Sequence, residues 1–305
     1  MSEPVISIRG LRKSYGELEA VKGIDLQVEP EEILAVLGPN GAGKTTTVEI
    51  LEGYRDRDAG DVEVLGVDPA RPTRAWRERI GIVLQGTTLE PKLTVRESLE
   101  LYAGYFSNPR PVNEVISLVG LEDKVDVRAG KLSGGQQRRL DVGIALVGDP
   151  ELLFLDEPTT GFDPSARRQA WEMIAGLRDL GKTVLLTTHY MDEAQFLADR
   201  VAIINEGRIV AEDTPENLGD RDQLPTRITF HLPAGTDADQ FTGFERVTIA
   251  AGGSGNESLV TIESHDAVAD LNRLTGWSIE NGVDLDGLEV KRPSLEDVYL
   301  QVTES

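Results

Sequence analysis

Along residues 1–215, short runs that are apolar at nearly every position alternate with stretches whose apolar residues recur at helical spacing. The runs 33–37, 80–84, 152–155, 183–186 and 201–204 are too short for typical helices and read as strands. Apolar throughout rather than at every second position, they are expected to be covered on both faces, as in a largely parallel α/β sheet. Gly38, Gln85, Asp156 and Thr187 follow four of these runs directly, and ligands of such sheets collect beyond the carboxyl ends of the strands. From residue 86 to 130 the strand rhythm stops. Helical patterning over 95–105 and 112–119 predicts an inserted helical subdomain there.

The pattern changes again near residues 215–225. Residues 216–305 hold 17 acids against 6 bases, about half of the chain's excess negative charge. Strands are predicted at 227–232, 246–251, 258–263 and 285–291, with helices at 238–244, 267–276 and 294–302 and a turn at Gly252-Gly253-Ser254-Gly255. Ser294 with Asp297 three residues on is a capping box for the last helix. The order βαββαβ predicts a small ferredoxin-like α+β module. The expected domains are therefore 1–220, with the helical subdomain at 86–140, and an accessory domain at 221–305.

Composition narrows the partners. The 305 residues carry 53 acids and 31 bases, a net charge of −22, which disfavours nucleic acid as a ligand. The acidic excess fits a surface adapted to a high-salt cytoplasm and equally an ordinarily acidic protein. Cysteine is absent, which excludes disulfides, thiol catalysis and thiolate metal sites. No apolar run approaches the roughly 20 residues of a membrane-crossing helix. The N-terminus has no leader-like core, so the chain is expected to act inside the cell, with any membrane role exercised through a partner.

Three segments carry candidate chemistry. Gly38-Pro39-Asn40-Gly41-Ala42-Gly43-Lys44-Thr45, followed by Thr46, joins a predicted strand to a predicted helix in the pattern GxxxxGKT. Its backbone N–H groups can cradle phosphates, Lys44 can bridge β- and γ-oxygens, and the Thr45 hydroxyl can ligate Mg²⁺. The strand 152–155 ends in Asp156-Glu157-Pro158. Beside a phosphate loop, the first carboxylate suits Mg²⁺ and the second suits a general base that orients water on the γ-phosphorus. In Leu132-Ser133-Gly134-Gly135-Gln136, a capping serine, two glycines and a helix dipole make a second anion-binding end. A single compact domain cannot wrap one γ-phosphate with both ends, which suggests two copies facing each other.

With these motifs in this order, residues 4–215 resemble the ATP-binding cassette (ABC) ATPases, with their P-loop NTPase fold and inserted helical subdomain. The resemblance implies ATP and Mg²⁺ as ligands. It implies that Tyr15 stacks on adenine, that Gln85 senses Mg²⁺ and the attacking water, that Asp163 reaches across a dimer, and that His189 is the γ-phosphate switch. Phe162 stands where the family usually has leucine, a change of packing rather than chemistry.

The segment Thr187-Thr188-His189-Tyr190-Met191-Asp192-Glu193-Ala194, the short helical insert and the tail Arg292-Pro293-Ser294-Leu295-Glu296-Asp297-Val298-Tyr299-Leu300 resemble the ATP-binding subunits of type 2 drug and multidrug exporters. Importer ATPases are similar to residue 215 but usually append a barrel. The resemblance implies a head-to-tail pair, in all expectation a homodimer, in which Ser133 and Gly135 of one subunit complete the site of the other. Closure would drive a separate integral membrane permease through a groove beside Gln85 and residues 86–105, placing the subunit on the inner face of the membrane. A non-transport ABC ATPase of DNA repair or translation is the alternative. Those typically show long coiled coils, zinc cysteines or a second cassette, none of which is present here.

Overall fold

The computed structural model describes residues 3–86, 89–219, 224–233, 241, 243–251 and 257–304. The chain divides into two compact units, Met1–Pro215 and Glu216–Ser305. In the first unit the elements run β1 (Ile6–Tyr15), β2 (Leu18–Val28), β3 (Ile33–Leu37), α1 (Lys44–Leu51), β4 (Ala59–Val64), α2 (Arg74–Arg77), β5 (Ile80–Val83), α3 (Val95–Ala103), α4 (Val112–Leu118), α5 (Gly134–Leu146), β6 (Leu152–Asp156), α6 (Pro164–Asp179), β7 (Thr183–Thr188), α7 (Met191–Leu197), β8 (Arg200–Asn205) and β9 (Arg208–Asp213).

The main sheet has the order β5-β6-β7-β3-β8-β9. Its first five strands are parallel and β9 pairs antiparallel with β8. Every residue of β3 and β7 is buried, as continuous apolar runs between two covering layers require. The antiparallel edge was not expected from the sequence. It follows from the two-residue turn Glu206-Gly207, both with positive φ (46° and 79°), a geometry that folds a strand straight back.

A second, antiparallel sheet of order β2-β1-β4 is not announced by continuous apolar runs. Its strands alternate instead: Ile6, Ile8, Val62 and Val64 face inward and share one core with Leu34, Val36, Phe154 and Ile50. Trp76, 2% exposed, closes that core from α2, whose first turn Thr73 caps, and its Nε1–H donates to Val64 O at 2.8 Å.

The helical insert forms as expected, although its first helix ends at Ala103, and Tyr105 beyond it is exposed. Thr94 and Glu97 form a capping box at the start of α3. Helices α3, α4 and α5 pack on one another, and α5 also packs on β5 and α6.

The second unit contains β10 (Thr226–Pro233), β11 (Arg246–Ala251), β12 (Glu257–Ser264), α8 (Ala267–Asn281), β13 (Asp286–Lys291) and α9 (Leu295–Glu304). Its sheet is antiparallel with the order β11-β12-β10-β13, the arrangement of a split βαβ module. The turn expected at 252–255 lies outside the described residues, as does most of the helix expected at 238–244, of which Phe241, Gly243 and Phe244 are not helical. Phe241 instead joins Ile228, Phe230, Val260, Ile262 and Leu274 in the core. Helix α8 runs past Gly276, where the sequence pattern had ended it. Trp277 packs 5.0 Å from Phe241, and the helix stops at Gly282, whose φ of 63° makes it the left-handed cap. Strand β13 is an edge, exposed at all six positions.

Trp76→Ala removes a buried indole and one of the two donors to Val64 O, the Val67 amide remaining at 3.1 Å. Chemical denaturation is expected to show the first unit destabilised by about 3–5 kcal/mol.

Candidate functional site

Strands β5, β6, β7 and β3 are consecutive and parallel, so their carboxyl ends line one sheet edge at about 4.8 Å per strand. Gln85, the pair Asp156 and Glu157, His189 and the loop starting at Gly38 all leave the sheet along that edge. Four sequence-distant segments are thereby gathered within a few strand widths.

The loop from Gly38 to Gly43 joins β3 to α1. Gly38, Ala42 and Gly43 are buried, whereas Pro39, Asn40 and Gly41 are exposed. Gly43 has φ 107°, and a Cβ there would lie 2.5 Å from Ala20 O, so no other residue fits without moving β2. Lys44 Nζ donates to Gly38 O at 2.7 Å and Pro39 O at 3.1 Å, which curls the loop around the ammonium. Burial lowers the Lys44 pKa, opposed by the nearby Glu157 and Asp156 carboxylates. Thr45 is exposed at the second position of α1. The Thr46 hydroxyl lies 3.5 Å from the Tyr15 hydroxyl, so the loop and the end of β1 adjoin. Arg55 sits 5.3 Å from the Tyr15 ring centroid, leaving that ring 40% exposed.

Glu157 has φ 44°, a left-handed backbone that few non-glycine residues adopt. Its amide donates to Thr187 O at 3.0 Å and Thr187 Oγ1 at 3.1 Å, and these bonds hold the turn. The Thr187 hydroxyl donates onward to Asp156 Oδ1 at 2.5 Å. Three side chains converge on the Glu157 carboxylate. Gln85 Nε2 and Thr160 Oγ1 donate to Oε2 at 2.9 and 3.0 Å, and His189 Nδ1 lies 3.3 Å from Oε1. Only a doubly protonated His189 ring could donate to Glu157 and to a phosphate oxygen at once.

Ser133 caps α5: its Oγ accepts from Gln136 N at 3.3 Å and Gln136 Oε1 accepts from Ser133 N at 3.0 Å. Ser133 and Gly134 are exposed, and Gly135 and Gln136 half-buried. Helix α5 packs on β5, α3, α4 and α6, whereas α1 packs on β2 and β4, so the two helices have different principal neighbours. Asp163 caps α6, its Oδ1 accepting from Ser165 N and Ala166 N at 3.0 Å each.

Comparison with known proteins accords with this geometry. The ABC transporter family model matches residues 21–160, and the model of an ABC transporter domain-containing protein-like C-terminal domain matches 226–294. The daunorubicin resistance ATP-binding protein DrrA3 of Streptomyces coeruleorubidus is 36% identical over 99% of this chain and 97% of its own length. The Nod factor export ATP-binding protein I of Paraburkholderia xenovorans is 44% identical over 72% of this chain and 73% of its own. The dimeric bacterial ABC transporter cassette MJ0796 superposes with a TM-score of 0.60 at 27% identity, covering 68% of this chain and 98% of that one. The chain belongs to the ABC transporter ATP-binding proteins. It is thus an ABC ATPase, an enzyme that binds and hydrolyses ATP.

A divalent cation in this ABC ATPase would meet a hydroxyl (Thr45), a carboxylate (Asp156) and an amide oxygen (Gln85). Among the described residues no three acidic or histidine side chains cluster as metal ligands. That oxygen-only, ligand-poor set fits Mg²⁺, which keeps waters and takes phosphate oxygens, and does not fit zinc.

Several residues at the site had no distinguishing sequence signal. Thr160 looks like any turn threonine until it meets Glu157. Glu52, at the C-cap of α1, lines a groove of about 770 Å³ with Glu49, Tyr54, Arg77, Ile82 and Leu84. Burial, and then the charges of Asp156 and Glu49, raise the Glu52 pKa to about 8. The folded state therefore keeps a proton that the unfolded chain loses near its ordinary value, and stability falls as pH climbs from there through 8. Glu52→Gln is expected to raise the thermal midpoint by about 3–6 °C at pH 8.5 and by at most about 1 °C at pH 4.5, measured by scanning calorimetry.

Proposed function

We propose that this ABC ATPase is the motor subunit of an exporter, working as a head-to-tail homodimer with Mg·ATP between opposite ends of two copies. Residues 1–220 form the motor and 221–305 an accessory domain. The observation that carries the reading is the separation of two anion-binding ends within one chain. The loop Gly38 to Thr46 adjoins Glu157, while the exposed Ser133 and the half-buried Gly135 stand at the start of a helix with other neighbours. A second copy supplies the missing half. The dimeric MJ0796 cassette supports that arrangement, and the names of the Nod factor export and daunorubicin resistance relatives support export.

In this reading Tyr15 stacks on adenine, the loop amides and Lys44 hold the β- and γ-phosphates, and Thr45, Asp156 and Gln85 hold Mg²⁺. The metal, when bound, neutralises charge on the β- and γ-oxygens. Glu157 orients a water and takes its proton as the oxygen attacks the γ-phosphorus, releasing ADP and phosphate. His189 contacts the γ-phosphate, and Ser133, Gly134, Gly135 and Gln136 of one copy, with Asp163, complete the site of the other. Loss of the γ-phosphate removes the contacts that favour closure, and the dimer reopens.

Among the described residues no helix is long and apolar enough to cross a membrane. The transport path is then assigned to an integral membrane permease, with this subunit peripheral on the cytoplasmic face. The groove beside Gln85, with Tyr54, Ile82 and Leu84 exposed, is the surface offered to a cytoplasmic segment of that permease. The net charge of −22 argues against nucleic acid as a partner.

Glu157→Gln is expected to lower steady-state ATP turnover by about 10²–10⁴-fold while ATP binding persists and light scattering shows a trapped dimer. Unchanged turnover would remove Glu157 from its role. For the wild type, specific activity should rise with protein concentration until dimers dominate. A rate per chain indifferent to dilution, with a monomer in solution, would defeat the shared-site reading.

A further inference from the structure

Arg138 lies on α5, two residues beyond the signature Leu132 to Gln136, and is only 5% exposed. Its guanidinium donates to three backbone carbonyls from two other segments: Nε to Pro158 O at 3.1 Å, Nη2 to Asp156 O at 2.6 Å, and Nη1 to Leu84 O. Leu84 directly precedes Gln85, and Asp156 and Pro158 flank Glu157. A planar fork with donors on three nitrogens can span such a triangle, whereas a lysine ammonium is a single point. Burying a guanidinium is costly where apolar packing would serve for stability alone. Burial lowers the Arg138 pKa, opposed by the charges of Asp141, Asp156 and Glu193.

A buried glutamate side chain holds the same segment as well. Thr159, fully buried, donates its hydroxyl to Glu193 Oε1 at 2.6 Å. Glu193 is itself fully buried on α7, the helix that begins two residues after His189, and accepts from Trp171 Nε1 of α6 at 2.9 Å. The stretch from Asp156 to Thr159 is therefore held both by a guanidinium on the signature helix and by a carboxyl group on the His189 helix.

We propose that Arg138 is a positioning residue for ATP hydrolysis, which ties the signature helix to the backbone around Glu157 and Gln85 and so aligns the water-orienting carboxylate when Ser133 is engaged by nucleotide. The proposal rests on the role of Glu157 given above. Glu193 and Thr159 form the second hold on that segment. A displacement of α5 reaches Glu157 through the carbonyls of Asp156 and Pro158 rather than through any side chain of the nucleotide site.

The test compares Arg138→Lys, Glu157→Gln and the double variant in the full chain by ATP turnover, ATP binding and thermal unfolding. Arg138→Lys is expected to lower kcat at least about tenfold, with KM for ATP within about twofold and an almost unchanged thermal midpoint. Added to Glu157→Gln it should cause no further loss, since it acts through that carboxylate. Thr159→Val, which removes the bond to Glu193, should show the same kcat-selective pattern more weakly, and it decides the matter if Arg138→Lys does not fold. Unaltered kcat in a folded variant, a loss shared equally by kcat, ATP binding and stability, or losses that multiply with Glu157→Gln would each overturn the proposal. Impaired Glu157→Gln beside intact Arg138→Lys refutes this inference alone; intact Glu157→Gln refutes the reading of the site and this inference with it.

Discussion

The Thr187 hydroxyl is the pivot of the sheet end that carries Asp156 and Glu157. It accepts from the Glu157 amide and donates to Asp156 Oδ1, so one side chain of β7 sets the backbone of one acid and the carboxylate orientation of its neighbour. Asp156 and Thr187 are directly paired in the parallel register of β6 and β7, which puts the hydroxyl where both bonds can form. A slip of one residue would turn every side chain of β7 to the opposite face, bury Thr187 elsewhere and leave the left-handed turn at Glu157 without support.

Around this pivot the two sheets divide the work. The parallel sheet gathers the phosphate loop, the acids, Gln85 and His189 at one edge. The antiparallel sheet brings Tyr15 to α1 and, through Ala20 O against Gly43, presses on the back of the phosphate loop. The shared core of Ile6, Val64, Phe154 and Trp76 makes these sheets one mechanical body. Helix α5 answers to a different set of neighbours, and Arg138 is the polar tether between it and the acids.

Much of this arrangement was legible in the chain. Apolar runs marked each parallel strand, and the polar residues after them marked the sheet end at which the structure gathers Gln85, Asp156, Glu157 and the loop from Gly38, because strand ends and motif spacing are local properties. The antiparallel sheet escaped because its strands alternate like ordinary half-exposed segments, and what buries Ile6 and Val64 is a partner far along the chain. The extension of α8 through Gly276 escaped for the same reason: Trp277 gains a neighbour in Phe241 that no helical pattern announces. Arg138, Thr160 and Glu193 are commonplace residues on commonplace elements. Their importance lies in which carbonyls and carboxylates the fold carries to them.

The second unit ends its sheet with β13, open along its whole length and bordered by Asp286 and Glu289 in a domain of 17 acids and 6 bases. An open strand of that kind invites another chain to dock alongside it. Here two such borders meeting would push carboxylates against carboxylates, with Lys291 already held by Glu289 at 2.9 Å. Like charges along that strand disfavour such pairing between copies, a protection that lies in charge.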